Sequence, residues 1–195
     1  MWPCARAPSS RTASLRTSSE RAGPRAVSSG PAPHGVARLG GLWLGVFLDA
    51  QGRVARVAVS VNAPTLAPDE TADPQALRVV RCLESWEQHP AGPARLPRAP
   101  AATPFQACLR DALLELQPGK TVSYGALARR LGTSPRAVGA GCRANPLPLL
   151  VPCHRVVGLR GSGGYAGARQ GHLTQFKAWL LEREQRASAP RGPSP

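Results

Sequence analysis

The sequence predicts an α/β fold in its first half and a mainly helical second half that contains a helix-turn-helix. Alternating apolar residues in the first half predict a strand hairpin followed by one amphipathic helix. In the second half, capping residues, prolines and glycines mark the ends of several short helices. A stretch rich in Pro, Ala and Arg separates the two halves, as is typical of a linker.

In the first half, we expect order to begin near Leu39. Residues 42–48 form an apolar run, residues 49–52 have the composition of a turn, and the valines that follow alternate with smaller residues. Asp73 can cap a helix that ends at His89-Pro90. Its apolar face carries Ala76, Val79, Val80, Leu83 and Trp86.

The second half begins with a capping box at Thr103 and an amphipathic helix. Ser123 can cap a short helix, and Thr133 or Ser134 can cap the next one after a tight turn that contains glycine. Two short helices joined in this way indicate a helix-turn-helix. A final helix is predicted from about residue 172 to 186. The expected organisation is a basic disordered tail (1–35), a small α/β domain (36–89), a linker (90–102), a second domain (103–186) and a second tail (187–195).

The composition favours a polyanionic partner, since the formal net charge is +14. Nucleic acid fits this charge better than an anionic membrane, although the Arg usage of a GC-rich genome is an alternative explanation. No apolar run approaches the roughly 20 residues that span a bilayer, so no membrane partner is expected. Five cysteines without a C-x-x-C pair disfavour a disulfide framework and a zinc site. The basic tail would also suit an organelle transit peptide.

Cys153 is the strongest candidate for chemistry. It lies in an apolar, proline-containing segment (146–157) and is followed directly by His154 and Arg155. Because the thiolate is the nucleophilic form of cysteine, a neighbouring base or cation raises the reactive fraction. On spacing alone, a buried structural cysteine beside a surface histidine remains an equal alternative.

The sequence Pro-Cys-His-Arg-Val at 152–156 follows Asn145-Pro146 and Arg-Ala-Val-Gly at 136–139. In these motifs the chain resembles the O6-alkylguanine-DNA alkyltransferase family over roughly residues 103–186. The first half resembles that family only in pattern, as a ribonuclease-H-like domain. The resemblance implies a winged-helix-like second domain. It also implies direct-reversal DNA repair, in which the alkyl group of O6-alkylguanine in duplex DNA is transferred once to Cys153.

The resemblance also assigns roles to individual residues. Cys153 would accept the alkyl group, and His154, oriented by Glu184, would take the thiol proton through a water. Asn145 would hold the turn before the cysteine, and Tyr124 would protonate or polarise the leaving guanine. The flipped base would meet a pocket formed by Tyr165, Val156 and Ala166. DNA contacts in the minor groove would come from Arg136, Ala137, Gly139, Arg143 and Arg155, with Arg136 filling the space that the base leaves.

The resemblance implies no cofactor and no metal, and a monomer that binds double-stranded DNA, in the cytoplasm of a bacterium or the nucleus of a eukaryote. The sequence departs from the family at Arg110, where Trp is frequent, at Ala166, where some relatives have Ser, and in a longer segment at 168–175. Two alternatives remain open: a sensor of alkylated DNA without catalysis, and a thiol hydrolase. The hydrolase would leave the helix-turn-helix and Arg136 unexplained.

Overall fold

The structure is a computed structural model that describes residues 32–64 and 73–188. Most of the expected basic tail, and all but two residues of the expected second tail, therefore lie outside the described residues. Among the described residues, no helix is both long enough and apolar enough to cross a membrane.

Three antiparallel strands form the sheet of the first half, in the order β1 (Gly35–Leu39), β2 (Leu42–Leu48) and β3 (Val54–Ser60). The predicted hairpin is confirmed. The turn between β2 and β3 is fixed by Asp49, whose carboxylate accepts hydrogen bonds from the backbone of Gln51 and Arg53. Strand β1 was not predicted, because its five residues directly follow the polar tail. Within the described residues, regular structure therefore begins at Gly35, before the expected start at Leu39.

Helix α1 (Pro74–Glu84) covers one face of the sheet. Asp73 caps it by accepting a hydrogen bond from the backbone N–H of Gln75 at 2.8 Å, as the sequence predicts. Four of the five predicted apolar residues lie in this helix and are buried. The α-helix ends earlier than expected, and a 3₁₀ turn (Ser85–Glu87) carries the buried Trp86 instead.

The segment expected to be a linker lies along β3. The backbone N–H of Val54 donates to the carbonyl of Pro97, and the N–H of Ala99 donates to the carbonyl of Val54, each at 2.9 Å. Arg110 fixes the same segment by donating to the carbonyl of Ala99 at 2.7 Å. Residues 97–99 are therefore attached to the sheet by backbone hydrogen bonds, and the division into two domains stays a prediction.

Four helices form most of the second half: α2 (Pro104–Leu114), α3 (Tyr124–Arg130), α4 (Pro135–Arg143) and α5 (His172–Ser188). The side chains of Thr103, Ser123 and Ser134 cap the first three, as predicted. A pair of two-residue parallel strands, β4 (Val122–Ser123) and β5 (Val156–Val157), was not predicted. It joins the start of α3 to the segment that follows Cys153.

The two halves share one hydrophobic core. Trp86, from the end of the first half, is fully buried against α5, with its ring 5.8 Å from that of Trp179. Trp179 stacks in turn on Phe176. Helix α5 therefore packs simultaneously against the first half and against the cysteine segment, so its inward-facing side chains are held from both sides.

Gly141 lets α2 and α4 approach closely. A Cβ at this position would lie 2.4 Å from Cδ2 of the buried Leu109, whereas a Cβ at Gly139 on the same helix would meet nothing closer than 4.0 Å.

We expect Gly141→Ala to lower the free energy of unfolding by about 1–2 kcal/mol, because overpacking outweighs the gain in helix propensity. Gly139→Ala is the matched control and should be neutral or stabilising. Urea unfolding followed by circular dichroism would measure both. Equal stability of the two variants would contradict this packing argument.

Candidate active site

A stiff loop between α4 and β5 positions Cys153. Asn145 ties the loop together: its side-chain N–H donates to the carbonyl of Val151 at 3.1 Å, and its oxygen accepts from the N–H of Leu147 at 3.1 Å. Leu149 has a φ of +71°, which a side chain adopts only where its surroundings impose it. The side-chain N–H of Asn145 also lies 3.2 Å from Sγ of Cys153.

The Cys153 thiol is buried, with 6% of the residue exposed. Burial raises its pKa, while the hydrogen bond from Asn145 and the positive charge of Lys177 act in the opposite direction. The thiol is therefore protonated at neutral pH, and a base must take its proton before it can act as a strong nucleophile.

Glu184 organises the residues behind the thiol. Its carboxylate lies 3.0 Å from Nε2 of His154 and accepts hydrogen bonds from the guanidinium of Arg155 at 2.7–3.1 Å. The backbone N–H of Gly119 donates to the same carboxylate at 3.1 Å. The side chains of His154 and Glu184 have no solvent exposure, so water cannot replace these partners.

The protonation states of this network follow from its surroundings. Burial alone would raise the pKa of Glu184, but hydrogen bonds from His154 and Arg155 lower it to about 2. An ionised carboxylate cannot donate, so Nε2 of His154 carries the hydrogen. Burial also lowers the pKa of His154, which keeps the ring neutral. Its Nδ1 is then a buried acceptor without a partner among the described residues, which is the property required of a base.

A cavity of about 450 Å³ connects Cys153 with the exposed side of α4. Arg136, in the first turn of α4, lines it on one side, and the loop that carries Tyr165 closes the other. The cavity is lined by Tyr124, Arg136, Gly139, Ala140, Cys142, Arg143, Cys153, Gly164, Tyr165, Ala166, Gly167, Ala168 and Arg169.

Two tyrosines contribute hydroxyl groups near this cavity. Burial, together with the nearby Cys142 and Cys153, raises the pKa of Tyr124 to about 12, so this hydroxyl keeps its proton at neutral pH and can donate a hydrogen bond. Tyr165 is 4% exposed and packs on Phe176, and its hydroxyl has no partner among the described residues. Backbone hydrogen bonds in both directions between Tyr165 and Ala168 fix the loop.

Comparison with known proteins finds relatives of the second half of the chain. Residues 104–186 match the model of the 6-O-methylguanine DNA methyltransferase DNA-binding domain. A methylated-DNA–protein-cysteine methyltransferase of Methanocaldococcus jannaschii is 45% identical over 75 residues. That match covers 38% of this chain and 42% of the relative, so it spans less than half of the relative's length.

Solved structures extend the similarity to the first half. The O6-methylguanine methyltransferase of Mycobacterium tuberculosis superposes with a TM-score of 0.60 at 25% identity, over 80% of this chain and 94% of that one. The structure of Mycobacterium tuberculosis OGT in complex with DNA superposes with a TM-score of 0.52 at 27% identity, over 74% of this chain and 88% of that one. Over residues 104–186 the chain is therefore similar in sequence to the O6-alkylguanine-DNA alkyltransferases. The overall fold, a small antiparallel sheet combined with helices, is that of the solved alkyltransferases.

Most residues that the alkyltransferase motifs single out lie together. Cys153, Tyr124, Tyr165 and Ala166 line the cavity, and Asn145 contacts the thiol from behind. His154 and Glu184 form the buried pair next to them. On α4, Arg136, Gly139 and Arg143 line the cavity, and Ala137 lies beside Arg136. The individual roles of these residues stay predictions.

Arg155 does not occupy the position expected of a DNA contact. It is 3% exposed, and its guanidinium binds Glu184 and the carbonyl of Leu116. In the 3₁₀ turn Cys153–Arg155 its side chain points into the protein, where it neutralises the buried carboxylate. The expectation that Arg155 contacts DNA is therefore wrong, and its position is that of a structural partner of Glu184.

Val156 also differs from expectation. Its side chain is fully buried in the hydrophobic core and is not among the residues that line the cavity. Its carbonyl accepts a hydrogen bond from Nζ of Lys177 at 2.6 Å. Pairing of β5 with β4 turns the side chain inward, which the sequence alone did not indicate.

Sequence reasoning missed Lys177. This lysine on α5 is fully buried, and its ammonium group donates to the carbonyls of Val156 and Gly164 at 2.6 and 3.1 Å. Burial lowers its pKa, while the neighbouring Cys153 and Cys142 raise it. The ammonium group lies 5.8 Å from the centre of the Tyr124 ring. A signal was present: Lys177 lies between Phe176 and Leu180, on the apolar face of the helix.

The stability of the protein should decrease in acid because of Glu184. The pKa of this group is lower in the folded state (about 2) than its ordinary value of 4.5, so its contribution is complete above pH 4.5 and is lost as the pH falls towards 2. We expect a loss of about 3 kcal/mol across this window. Urea unfolding between pH 7 and pH 2 measures it.

In Glu184→Gln this pH dependence should be absent, and the stability at pH 7 should be lower by about 3–5 kcal/mol because Arg155 loses its buried partner. Glu182→Gln on the same helix is the control, since Glu182 is exposed and pairs with the exposed Arg186. If the free energy of unfolding of Glu184→Gln depends on pH as steeply as that of the wild type, another group causes the pH dependence.

Proposed function

We propose that this protein repairs DNA by direct reversal, transferring the alkyl group of O6-alkylguanine in duplex DNA to Cys153. The observation that carries the proposal is the cavity lined by both Cys153 and Arg136 of α4, together with the buried pair of His154 and Glu184, whose histidine directly follows Cys153 in the chain. A purine turned out of the helix beside α4 could enter this cavity. The alkyltransferase relatives support the same activity.

In the proposed reaction, His154 accepts the thiol proton at Nδ1, relayed by a water. Glu184 stabilises the imidazolium that forms, because its carboxylate is ionised and hydrogen-bonded to Nε2. The resulting thiolate of Cys153 is stabilised by the side-chain N–H of Asn145 and by the charge of Lys177. These two groups offset part of the cost of burying the negative charge.

The thiolate then attacks the alkyl carbon in line with the O6 atom. The sulfur–carbon bond forms as the carbon–oxygen bond breaks, and its electron pair passes to the guanine. Tyr124, whose hydroxyl stays protonated at neutral pH, polarises the departing base by donating a hydrogen bond or its proton to it. The proton that His154 took from the thiol then passes through solvent to the tyrosine or to the guanine, so that both end neutral. The products are guanine and S-alkylcysteine. Because a thioether is not readily reversed, each molecule acts once, and the reaction needs no cofactor or metal.

We further propose that α4 enters the minor groove of the DNA. Apart from its arginines, its exposed side is formed by small residues such as Gly139 and Ala140, which a narrow groove can accommodate. Arg136 would fill the space left by the flipped base, and Arg143 would contact phosphates. Ala137 would pack beside Arg136 against the sugar-phosphate backbone. Tyr165 and Ala166 would bound the pocket for the base.

The finer architecture is proposed on the same grounds. The sheet and α1 would be a ribonuclease-H-like domain (36–89), joined by residues 90–102 to a winged-helix-like alkyltransferase domain (103–186). In that domain, α3 and α4 are the helix-turn-helix, and the short pair β4 and β5 stands beside it. We propose that the protein acts as a monomer, in the cytoplasm of a bacterial cell or the nucleus of a eukaryotic one.

The central test is the mass of the cysteine peptide after exposure to duplex DNA that contains O6-methylguanine. Trypsin separates Cys153 (residues 144–155) from Cys142 (residues 137–143). We expect the first peptide to gain one methylene unit and the second to stay unchanged. Duplex with ordinary guanine is the control. An unmodified Cys153 peptide at saturating DNA would refute the proposed function.

Lys177→Met should slow the alkylation of Cys153 by about tenfold or more at pH 7, because removing the cation raises the thiol pKa. The difference in rate from the wild type should shrink as the pH rises, since Cys153 then ionises in the wild type and in the variant alike. Single-turnover kinetics at saturating DNA over a range of pH measures this effect.

Arg186→Met, which removes one charge from an exposed position on the same helix, is the control and should leave the rate unchanged. A rate deficit of Lys177→Met that stays constant with pH would indicate a purely structural role for the lysine.

A further inference from the structure

We propose that the outer face of the three-stranded sheet is a second nucleic-acid-binding surface, which binds single-stranded DNA by stacking bases on Trp43 and Phe47. This inference concerns a part of the chain that does not line the candidate active site. It goes beyond the proposed repair reaction and does not depend on it.

The face is defined by alternation along β2. Leu44 and Val46 point towards α1 and are fully buried. Trp43 and Phe47 point to the opposite side, are only half-buried, and are not among the residues packed against the core. Pro33 packs over Gly45 between the two aromatic residues, so each ring offers a separate surface for stacking with a ligand.

Each aromatic ring on this face has the guanidinium of an arginine over it, so a base reaches the ring by displacing that guanidinium. Arg38 is the cross-strand partner of Trp43, with its guanidinium carbon 5.3 Å from the ring centre. Arg56 is the partner of Phe47, at 3.6 Å. Both arginines are exposed, so their charge faces solvent. Guanidinium groups in this setting can bind phosphates and can also stack on bases.

The charge of the face selects a polyanion. None of the three strands contains Asp or Glu. Asp49, in the turn after β2, already forms an ion pair with Arg53. An acidic peptide would complement the charge equally, but it would not explain why each arginine is paired with an aromatic ring. Alternating phosphates and planar bases match both features.

The geometry favours a single strand over a duplex. Bases in a duplex are stacked on one another and cannot reach the rings of Trp43 and Phe47, whereas unpaired bases can. The two rings lie four residues apart on one strand, which corresponds to about 14 Å. An extended single strand could therefore place two bases, separated by one nucleotide, on the two rings.

Photo-crosslinking locates the contact directly. The full-length protein is irradiated with a single-stranded oligonucleotide that contains 5-iododeoxyuridine, and tryptic peptides are analysed by mass spectrometry. The peptide of residues 39–53 contains Trp43 and Phe47 as its only aromatic residues. We expect a crosslink in this peptide with the single strand and none with the corresponding duplex. Crosslinks confined to residues 104–186 would overturn the proposal.

Two sets of variants test the energetics by fluorescence anisotropy with a labelled oligothymidine. Trp43→Leu with Phe47→Leu keeps the apolar surface but removes the rings, and should abolish the crosslink and weaken binding by about fivefold or more. Arg38→Ser with Arg56→Ser should reduce the slope of the logarithm of the binding constant against the logarithm of the salt concentration by about 1.4. Arg78→Ser with Arg81→Ser removes the same charge from exposed positions on α1, and this charge-matched control should have little effect.

Thermal unfolding of every variant confirms that it is folded. Wild-type affinity in the folded Trp43→Leu, Phe47→Leu variant would overturn the proposal. So would light scattering that shows a wild-type dimer and a monomeric variant, because a second copy of the chain would then cover the face. Methyl transfer to Cys153 should be unchanged in all these variants, so failure of this inference and failure of the proposed repair reaction are distinguishable.

Discussion

The buried carboxylate of Glu184 is the interaction on which the arrangement of the candidate site depends. It connects three segments that are distant in sequence: α5, which carries it, the turn with His154 and Arg155, and the backbone N–H of Gly119 after α2. A carboxylate without solvent exposure is strongly destabilising unless it is paired. None of the three segments can therefore shift without breaking a charged hydrogen bond, and the imidazole next to the thiol stays fixed.

A second constraint acts from the other side of the sulfur. Asn145 hydrogen-bonds to the backbone of the loop at two points and to Sγ of Cys153 itself, so the residue that shapes the loop also contacts the nucleophile. The left-handed backbone of Leu149 is maintained because its neighbours in the loop are buried. The position of the thiol thus follows from two independent sets of hydrogen bonds, one on each side.

Elements with local signals could be predicted from the sequence. The β2–β3 hairpin and the five α-helices follow from turn residues, caps and apolar periodicity, and Cys153 follows from its motif. Strand β1 and the pair β4 and β5 have no such local signal, because a two-residue parallel pairing forms only once α3 and the cysteine turn meet. The cavity is likewise a property of tertiary packing, and its lining comes from four separate segments.

The errors at the site have a common cause. Arg155 and Lys177 are cations in a strongly basic chain, and a cation read from sequence is assigned to the surface by default. Residue type alone did not show that Arg155 neutralises a buried carboxylate, because the direction of its side chain depends on a 3₁₀ turn. Lys177 was overlooked because its hydrogen-bond partners are backbone carbonyls, which sequence motifs do not reveal.

Two thiols line the cavity, and their surroundings explain why only one is suited to react. Burial raises the pKa of both, and that of Cys142 reaches about 12. Only Cys153 receives a hydrogen bond to its sulfur from Asn145, and only Cys153 is followed by a neutral histidine whose Nδ1 can accept a proton. The charge of Lys177 favours ionisation of both sulfurs, so it cannot distinguish them. Selectivity therefore comes from the hydrogen bond and the base, whereas the buried lysine sets how easily either thiol could ionise.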